Sequence, residues 1–213
     1  MLPLLPMIFV LPVICQTQQN PPQTGRAMPR GHFPYAETAH QSLVALDTGI
    51  LVRKNALDPL TRLLQAAQRD GVPLKVATGF RSIEAQREAF ESGAKKKGIP
   101  MRSYAWWTAP PGFSEHHTGL AVDFADPKKP QTDFTPASFS KTEAYAWLQA
   151  HAKEFGFELS FQEGNGLRVA FEPWHWRFVG DEESRAIFAM ARKGRVAQDG
   201  VRIPPPKRSA PSP

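Results

Sequence analysis

Ser114-Glu115-His116-His117-Thr118-Gly119-Leu120-Ala121-Val122-Asp123-Phe124-Ala125 is the stretch on which the fold of this chain turns. Leu120, Val122 and Phe124 alternate with Ala121, Asp123 and Ala125, the period-two pattern of a strand with one face in a core. Asp123 then stands between two alanines on the opposite face. A carboxylate there is costly unless it is paired or bound to a metal, and its small neighbours leave clearance for a pocket.

A second stretch, Phe171-Glu172-Pro173-Trp174-His175-Trp176-Arg177-Phe178, alternates aromatic residues at 174, 176 and 178 with His175 and Arg177. In a straight strand Glu172 and His175 point to opposite faces. Pro173 cannot join a central ladder, however, and a bend there lets the two converge. Glu172 is then able to approach a metal held by His175 without ligating it.

The segments between these stretches predict the rest of the architecture. Asp58 as an N-cap, Pro59 at the first helical position and Leu60, Leu63, Leu64 and Ala67 at helical spacing predict a helix ending at Gly71. Leu74 to Ala77 reads as a short strand, and Ser82 caps a second helix to about Glu91, which puts Arg81 at a strand-to-helix junction. Ser140-x-x-Glu143 reads as the capping box of a third helix, with Ala144, Trp147, Leu148, His151 and Phe155 on one stripe and Gly156 as its stop. His151 on that stripe reads as a core or boundary residue. Phe157 to Phe161 and Val169 to Phe171, flanking Gly164-Asn165-Gly166, predict a hairpin, with a further strand from about Trp174 to Val179. Together these elements predict an α+β fold with a small, mainly antiparallel sheet flanked by helices and a site in a cleft on the sheet.

At 213 residues with 41% hydrophobic content, the chain is long enough for one well-packed domain and some additional chain. Met1 to Cys15 is apolar, too short to span a membrane, and followed by the polar stretch from Gln16, which is an export-signal profile. The division expected is a signal-like segment with a Pro- and Gln-rich linker over 1–34, a domain over 35–193 and a Pro-rich disordered tail over 194–213. Export to the periplasm or cell envelope follows from that reading. Ile14 is larger than the residue usual before a lipidated cysteine, so a lipid anchor on Cys15 is the lesser alternative. As the single cysteine, Cys15 also excludes a disulfide framework and a thiolate zinc site, so any metal falls to His and carboxylate. The formal charge of +6 is compatible with nucleic acid, an anionic membrane or an acidic polymer such as a bacterial wall. No Lys/Arg stripe interleaved with aromatics supports nucleic acid, and Lys95-Lys96-Lys97 reads as a solvated loop. The expected mature domain offers no transmembrane span, and its sequence patterns set no oligomeric state.

Two imidazoles and a carboxylate with a fourth position open to water form a ligand set that a catalytic zinc uses. Spacing alone leaves another arrangement open, with Asp123 salt-bridged to an arginine and His175 stacked among tryptophans. The combined pattern Ser114-x-His116-x-x-Gly119-x-Ala121-x-Asp123 followed by Glu172-Pro173-Trp174-His175 resembles the VanY-type D-alanyl-D-alanine carboxypeptidases, zinc metallopeptidases grouped with L,D-carboxypeptidases and phage endolysins. The likeness spans about Ala45 to Gly180 and includes Thr78-Gly79-Phe80-Arg81-Ser82.

The resemblance implies one Zn2+ per chain held by His116, Asp123 and His175, with Glu172 as catalytic base. It implies that Arg81 polarises the substrate carbonyl or holds its carboxylate, with Ser114 and Gln86 along the substrate site. Arg177 is expected to orient the ligand shell or the substrate, or to form a surface ion pair. The implied reaction is removal of the C-terminal D-alanine from peptidoglycan stem peptides. Alternatives are an L,D-carboxypeptidase or endopeptidase of the same family, and a zinc-stabilised cell-wall binding module without catalysis. His117 departs from the family pattern and introduces a second imidazole beside His116. Tyr104, Trp106 and Trp107 precede the first motif, either walling a groove or packing a long loop.

Overall fold

The computed structural model describes residues 31–129 and 135–194. The signal-like segment, the linker as far as residue 30 and the Pro-rich tail from 195 lie outside the described residues. Two antiparallel strands, β1 (Leu43–Ala45) and β2 (Leu51–Arg53), open the domain and lead directly into helix α1 (Lys54–Arg69). Strand β3 (Lys75–Thr78), helix α2 (Ile83–Lys97) and the short helix α3 (Met101–Tyr104) follow, then strand β4 (Ala121–Ala125). Helices α4 (Pro136–Phe139) and α5 (Glu143–His151), strands β5 (Phe157–Leu159) and β6 (His175–Phe178) and helix α6 (Glu182–Arg192) complete it.

The main sheet has the order β3-β4-β6-β5 with every neighbouring pair antiparallel, so the expected α+β class holds. Val122 lies opposite Trp176 across the β4–β6 ladder, and this face, with Phe124 and Phe178, packs on Leu60, Leu63, Leu148 and Phe188 from α1, α5 and α6. Burying these large side chains supplies most of the folding drive, at about 1.5–3 kcal/mol each. The other face of β4 and β6 carries Asp123, His175 and Arg177.

Several predicted boundaries move. α1 begins at Lys54 rather than after Asp58, because β2 runs straight into it and buries Val52, Arg53 and Ala56. Pro59 therefore lies inside the helix, and Asp58 instead accepts from Arg62 Nε at 3.0 Å, one turn on. Ser82 caps α2 as expected, accepting from Ala85 N at 3.0 Å, but the helix runs on to Lys97. The Lys95-Lys96-Lys97 run is thus an exposed final helical turn, where positive charge complements the helix dipole, and not a loop. The cap of α5 is Thr142, whose hydroxyl accepts from Tyr145 N at 3.1 Å, while Ser140 ends α4. No hairpin forms about Gly164. The Asn165 amide donates to the Gln162 and Val169 carbonyls, both at 3.0 Å, and closes a loop, so β5 pairs past it with β6. β1, β2 and α6 were not foreseen in the sequence. Residues 32–35, placed in the linker or at the domain edge, pack against the domain: His32 Nε2 meets the Ala105 carbonyl at 2.7 Å and Tyr35 is buried.

Candidate metal centre

Asp123 and His175 are direct partners across the β4–β6 ladder, which puts both side chains on one face. His116 arrives from a 3-10 turn, Glu115–Thr118, capped by the Ser114 hydroxyl accepting from His116 N at 3.3 Å. Gly119 ends that turn with φ of 67°, and a Cβ there would lie 3.0 Å from Arg53 N and 2.9 Å from Leu43 Cδ2. Glycine is required for both the left-handed conformation and the close approach. It delivers the chain from His116 to Asp123 in the space of one sharp corner.

One ligand atom from each of His116, Asp123 and His175 lies within 4.8 Å of the others. The Asp123 carboxylate divides between them, with Oδ2 3.3 Å from His116 Nε2 and Oδ1 3.1 Å from His175 Nδ1. The two rings meet edge to face at 4.7 Å between centroids. His116 Nδ1 sits 2.8 Å from the Gly79 carbonyl, an obligate acceptor, so Nδ1 carries the proton and Nε2 is free to ligate. The alternative reading, a lone aspartate paired with arginine, does not match this geometry, since Asp123 faces two imidazoles.

His117 is excluded as a ligand by its own contacts. Its Nδ1–H donates to the Arg81 carbonyl at 2.7 Å, and its Nε2 accepts from Gly112 N at 3.1 Å. Both nitrogens are taken by backbone, and burial pulls its pKa down to about 4. Its task is to clasp the Arg81 segment to the turn that carries His116.

Glu172 reaches the cluster as expected. A turn through Pro173 and Trp174, closed by His175 N donating to the Glu172 carbonyl at 3.0 Å, brings Glu172 Oε2 to 3.9 Å from His175 Nδ1. Burial raises its pKa to about 7, with the His175 charge pulling the other way. A carboxyl beside the cluster and outside its ligand set is placed to transfer a proton. In the metal-free protein, burial lowers the pKa of His175, but hydrogen bonds to Asp123 and Glu115 outweigh it and push the value up to about 10. Burial would raise Asp123, yet the two imidazoles hold it well below the usual carboxylate range.

Of the four side chains expected along the substrate groove, Arg81 is half-buried, and Ser114, Gln86 and Arg177 are buried and bonded to protein. Arg81 Nη1 donates to Gln86 Oε1 at 2.8 Å, and Gln86 Nε2 donates in turn to the Ala109 carbonyl at 2.6 Å. Gln86 therefore aims Arg81. Arg177 is no surface pair: Nη1 donates to Glu115 Oε1 and Nη2 contacts Glu158 Oε1, both at 2.6 Å. Trp106 and Trp107 remain about half exposed, whereas Tyr104 packs on Phe90 with ring centroids 5.5 Å apart. His151 is a boundary residue, its ring 4.9 Å from that of Trp147.

Glu115 is the residue that sequence reasoning missed. It is buried, its side chain is 3% exposed, and it touches His175, Arg177, Ser160 and Tyr35. The only available signal was an acidic residue within a predominantly buried motif, which is not distinctive by itself.

The sequence model of the family described as VanY: D-alanyl-D-alanine carboxypeptidase matches residues 49–181. A D-alanyl-D-alanine carboxypeptidase of Enterococcus faecalis is 34% identical over 138 residues, which is 61% of this chain and 48% of that protein. The chain thus spans about half the length of that relative. A VanY D,D-pentapeptidase variant from a VanB-type vancomycin-resistance cassette, solved in complex with Zn(II), superposes with a TM-score of 0.57 at 29% identity, covering 75% of this chain and 93% of that one. The LdcB LD-carboxypeptidase gives a TM-score of 0.58 at 28% identity over 70% of this chain and 73% of its own.

Proposed function

From the premise that the chain belongs to the VanY D-alanyl-D-alanine carboxypeptidase family, we propose that it is a zinc peptidase that removes the terminal D-alanine from peptidoglycan stem peptides. The observation that carries this reading is the convergence of His116, Asp123 and His175 donor atoms within 4.8 Å, with the Glu172 carboxyl beside them and outside the set. Two imidazoles and one carboxylate are the donors zinc favours in a catalytic site. The Zn(II) in the related VanY structure supports the same choice of ion.

A zinc ion held by these residues supplies a Lewis acid at the scissile carbonyl and makes a neighbouring water more acidic. Glu172 accepts the proton of the attacking water and passes it to the departing amine nitrogen, so D-alanine leaves with its amine neutralised. Arg81, aimed by Gln86, donates to the substrate's carbonyl oxygen or terminal carboxylate, for which a planar guanidinium is well shaped. The Ser114 cap and the His117 clasp keep the His116 turn and the Arg81 segment in register during that work. The apolar segment Met1 to Cys15 supports action outside the cytoplasm, at the periplasm or envelope.

The decisive experiment is incubation with defined tripeptide, tetrapeptide and pentapeptide muropeptides, with and without a chelator, and mass spectrometry of the products. Chelator-sensitive release of one D-alanine from the pentapeptide is expected. Cleavage of the tetrapeptide alone would replace the D,D reading with an L,D one, which the likeness to LdcB favours as second choice. Cuts inside the stem would make it an endopeptidase, and no release from any substrate would leave a wall-binding module.

A further inference from the structure

Glu115 has no part in the proton transfer, yet it is the most heavily engaged carboxylate among the described residues. Its Oε1 accepts from Arg177 Nη1 at 2.6 Å and from the Tyr35 hydroxyl at 3.3 Å. Its Oε2 accepts from the Ser160 hydroxyl at 2.6 Å and lies 3.1 Å from His175 Nε2. The ion pair with Arg177 keeps it a carboxylate, which only accepts hydrogen bonds. His175 Nε2 must therefore carry a proton, and Nδ1, 3.1 Å from Asp123 Oδ1, is the nitrogen that faces the cluster. Phe161 lies against the same ring at 5.0 Å between centroids, limiting its rotation.

We propose that Glu115 is a positioning residue for the metal centre: anchored by Arg177, Tyr35 and Ser160, it holds the Nε2–H of His175 and presents Nδ1 to the ion. The inference rests on the zinc reading above and deepens it. The two histidines are thereby differentiated. His116 is backed by the Gly79 carbonyl and ligates through Nε2, whereas His175 is backed by a carboxylate and ligates through Nδ1. A carboxylate behind an imidazole makes it a more basic and better oriented ligand. The chain of contacts reaches back to Tyr35, which ties the segment before β1 to the centre.

The test joins imidazole nitrogen NMR of the zinc-loaded, 15N-labelled protein to zinc affinities by chelator competition for the wild type, Glu115→Gln and Ser160→Ala. In the wild type, His175 is expected to show a protonated Nε2 and a metal-shifted Nδ1. Glu115→Gln must either turn its amide toward His175, forcing the wrong tautomer, or toward Arg177, opposing two donors. Its zinc affinity should fall roughly 10–100-fold, with changed His175 nitrogen shifts. Ser160→Ala keeps the charge and loosens one oxygen, so a smaller loss in the same direction is expected. A purely structural Glu115 would lower the melting temperature of the metal-free variant and leave affinity and shifts untouched, which overturns the proposal. So does a wild-type His175 bound through Nε2, a result that stands even if Glu115→Gln fails to fold. Failure of the wild type to bind stoichiometric zinc would instead defeat the metal-centre reading itself.

Discussion

Asp123 and His175 face each other across the β4–β6 ladder with Oδ1 3.1 Å from Nδ1, so a backbone register sets the spacing of two ligands drawn from 52 positions apart. The third, His116, is placed by the turn that ends at Gly119, and its ring is oriented by the Gly79 carbonyl 2.8 Å from Nδ1.

The separate positions of Glu172 and the ligands predict a double dissociation. Glu172→Gln should lower D-alanine release by roughly 10²–10⁴-fold while retaining zinc at wild-type stoichiometry. His116→Ala and Asp123→Ala should lose the zinc as well as the activity. Elemental analysis beside a release assay checks this, and zinc-replete His116→Ala protein would refute the ligand set.

Zinc binding should release protons. His175 in the metal-free protein is pushed up to about 10 by its two carboxylate partners and must give up its Nδ1 proton to ligate. Calorimetric titration at about pH 7.5 in buffers of different ionisation enthalpy should report about one proton released per zinc. A value of zero would mean that His175 is already neutral.

His117 should set part of the acid sensitivity. Its pKa lies near 4 in the fold against 6.5 ordinarily. A depressed value means that the neutral form stabilises the fold above about pH 6.5, and that this contribution is lost as pH falls from there through about 4. The loss amounts to something on the order of 3 kcal/mol. His117→Gln, which can replace both backbone contacts and does not titrate, should flatten that limb in urea unfolding of chelator-treated protein. An unchanged pH slope would contradict the assignment.

Gln86→Leu should impair catalysis without touching the metal. It removes the acceptor of Arg81 and the donor to the Ala109 carbonyl. Loss of one aimed, buried contact costs about 1–2 kcal/mol, so kcat/KM should fall roughly tenfold. Zinc affinity should stay at the wild-type value, and a kinetically normal variant would show that Arg81 needs no guide.

The placement of Asp123 and Glu172 was readable from local rules, since a period of two puts Asp123 opposite the core and Pro173 breaks the strand where Glu172 must turn, but their roles beside His175 were legible only through the family resemblance. Glu115 was readable in neither way, since its partners Tyr35, Ser160, His175 and Arg177 come together only in three dimensions. For the same reason the sequence did not reveal that Gln86 bonds Arg81, that Ser114 caps the His116 turn, or which of the roles open to Arg177 is used: it reaches the ligand shell through Glu115. The false hairpin at Gly164 and the false cap at Ser140 share a different cause. Turn and cap residues mark where a chain bends, but packing elsewhere decides which of two neighbouring candidates is used. Pro59 likewise looked like a helix start until the burial of Val52 and Ala56 moved the start upstream.

The alternation along β4 ties quality control to chemistry. Sliding that strand by one step against β6 would turn Val122 and Phe124 outward and drive Asp123 into oil, destroying the core and the ion site in a single event. Correct pairing of β4 with β6 therefore secures the oily interior and the Asp123–His175 spacing together, and neither can be had without the other.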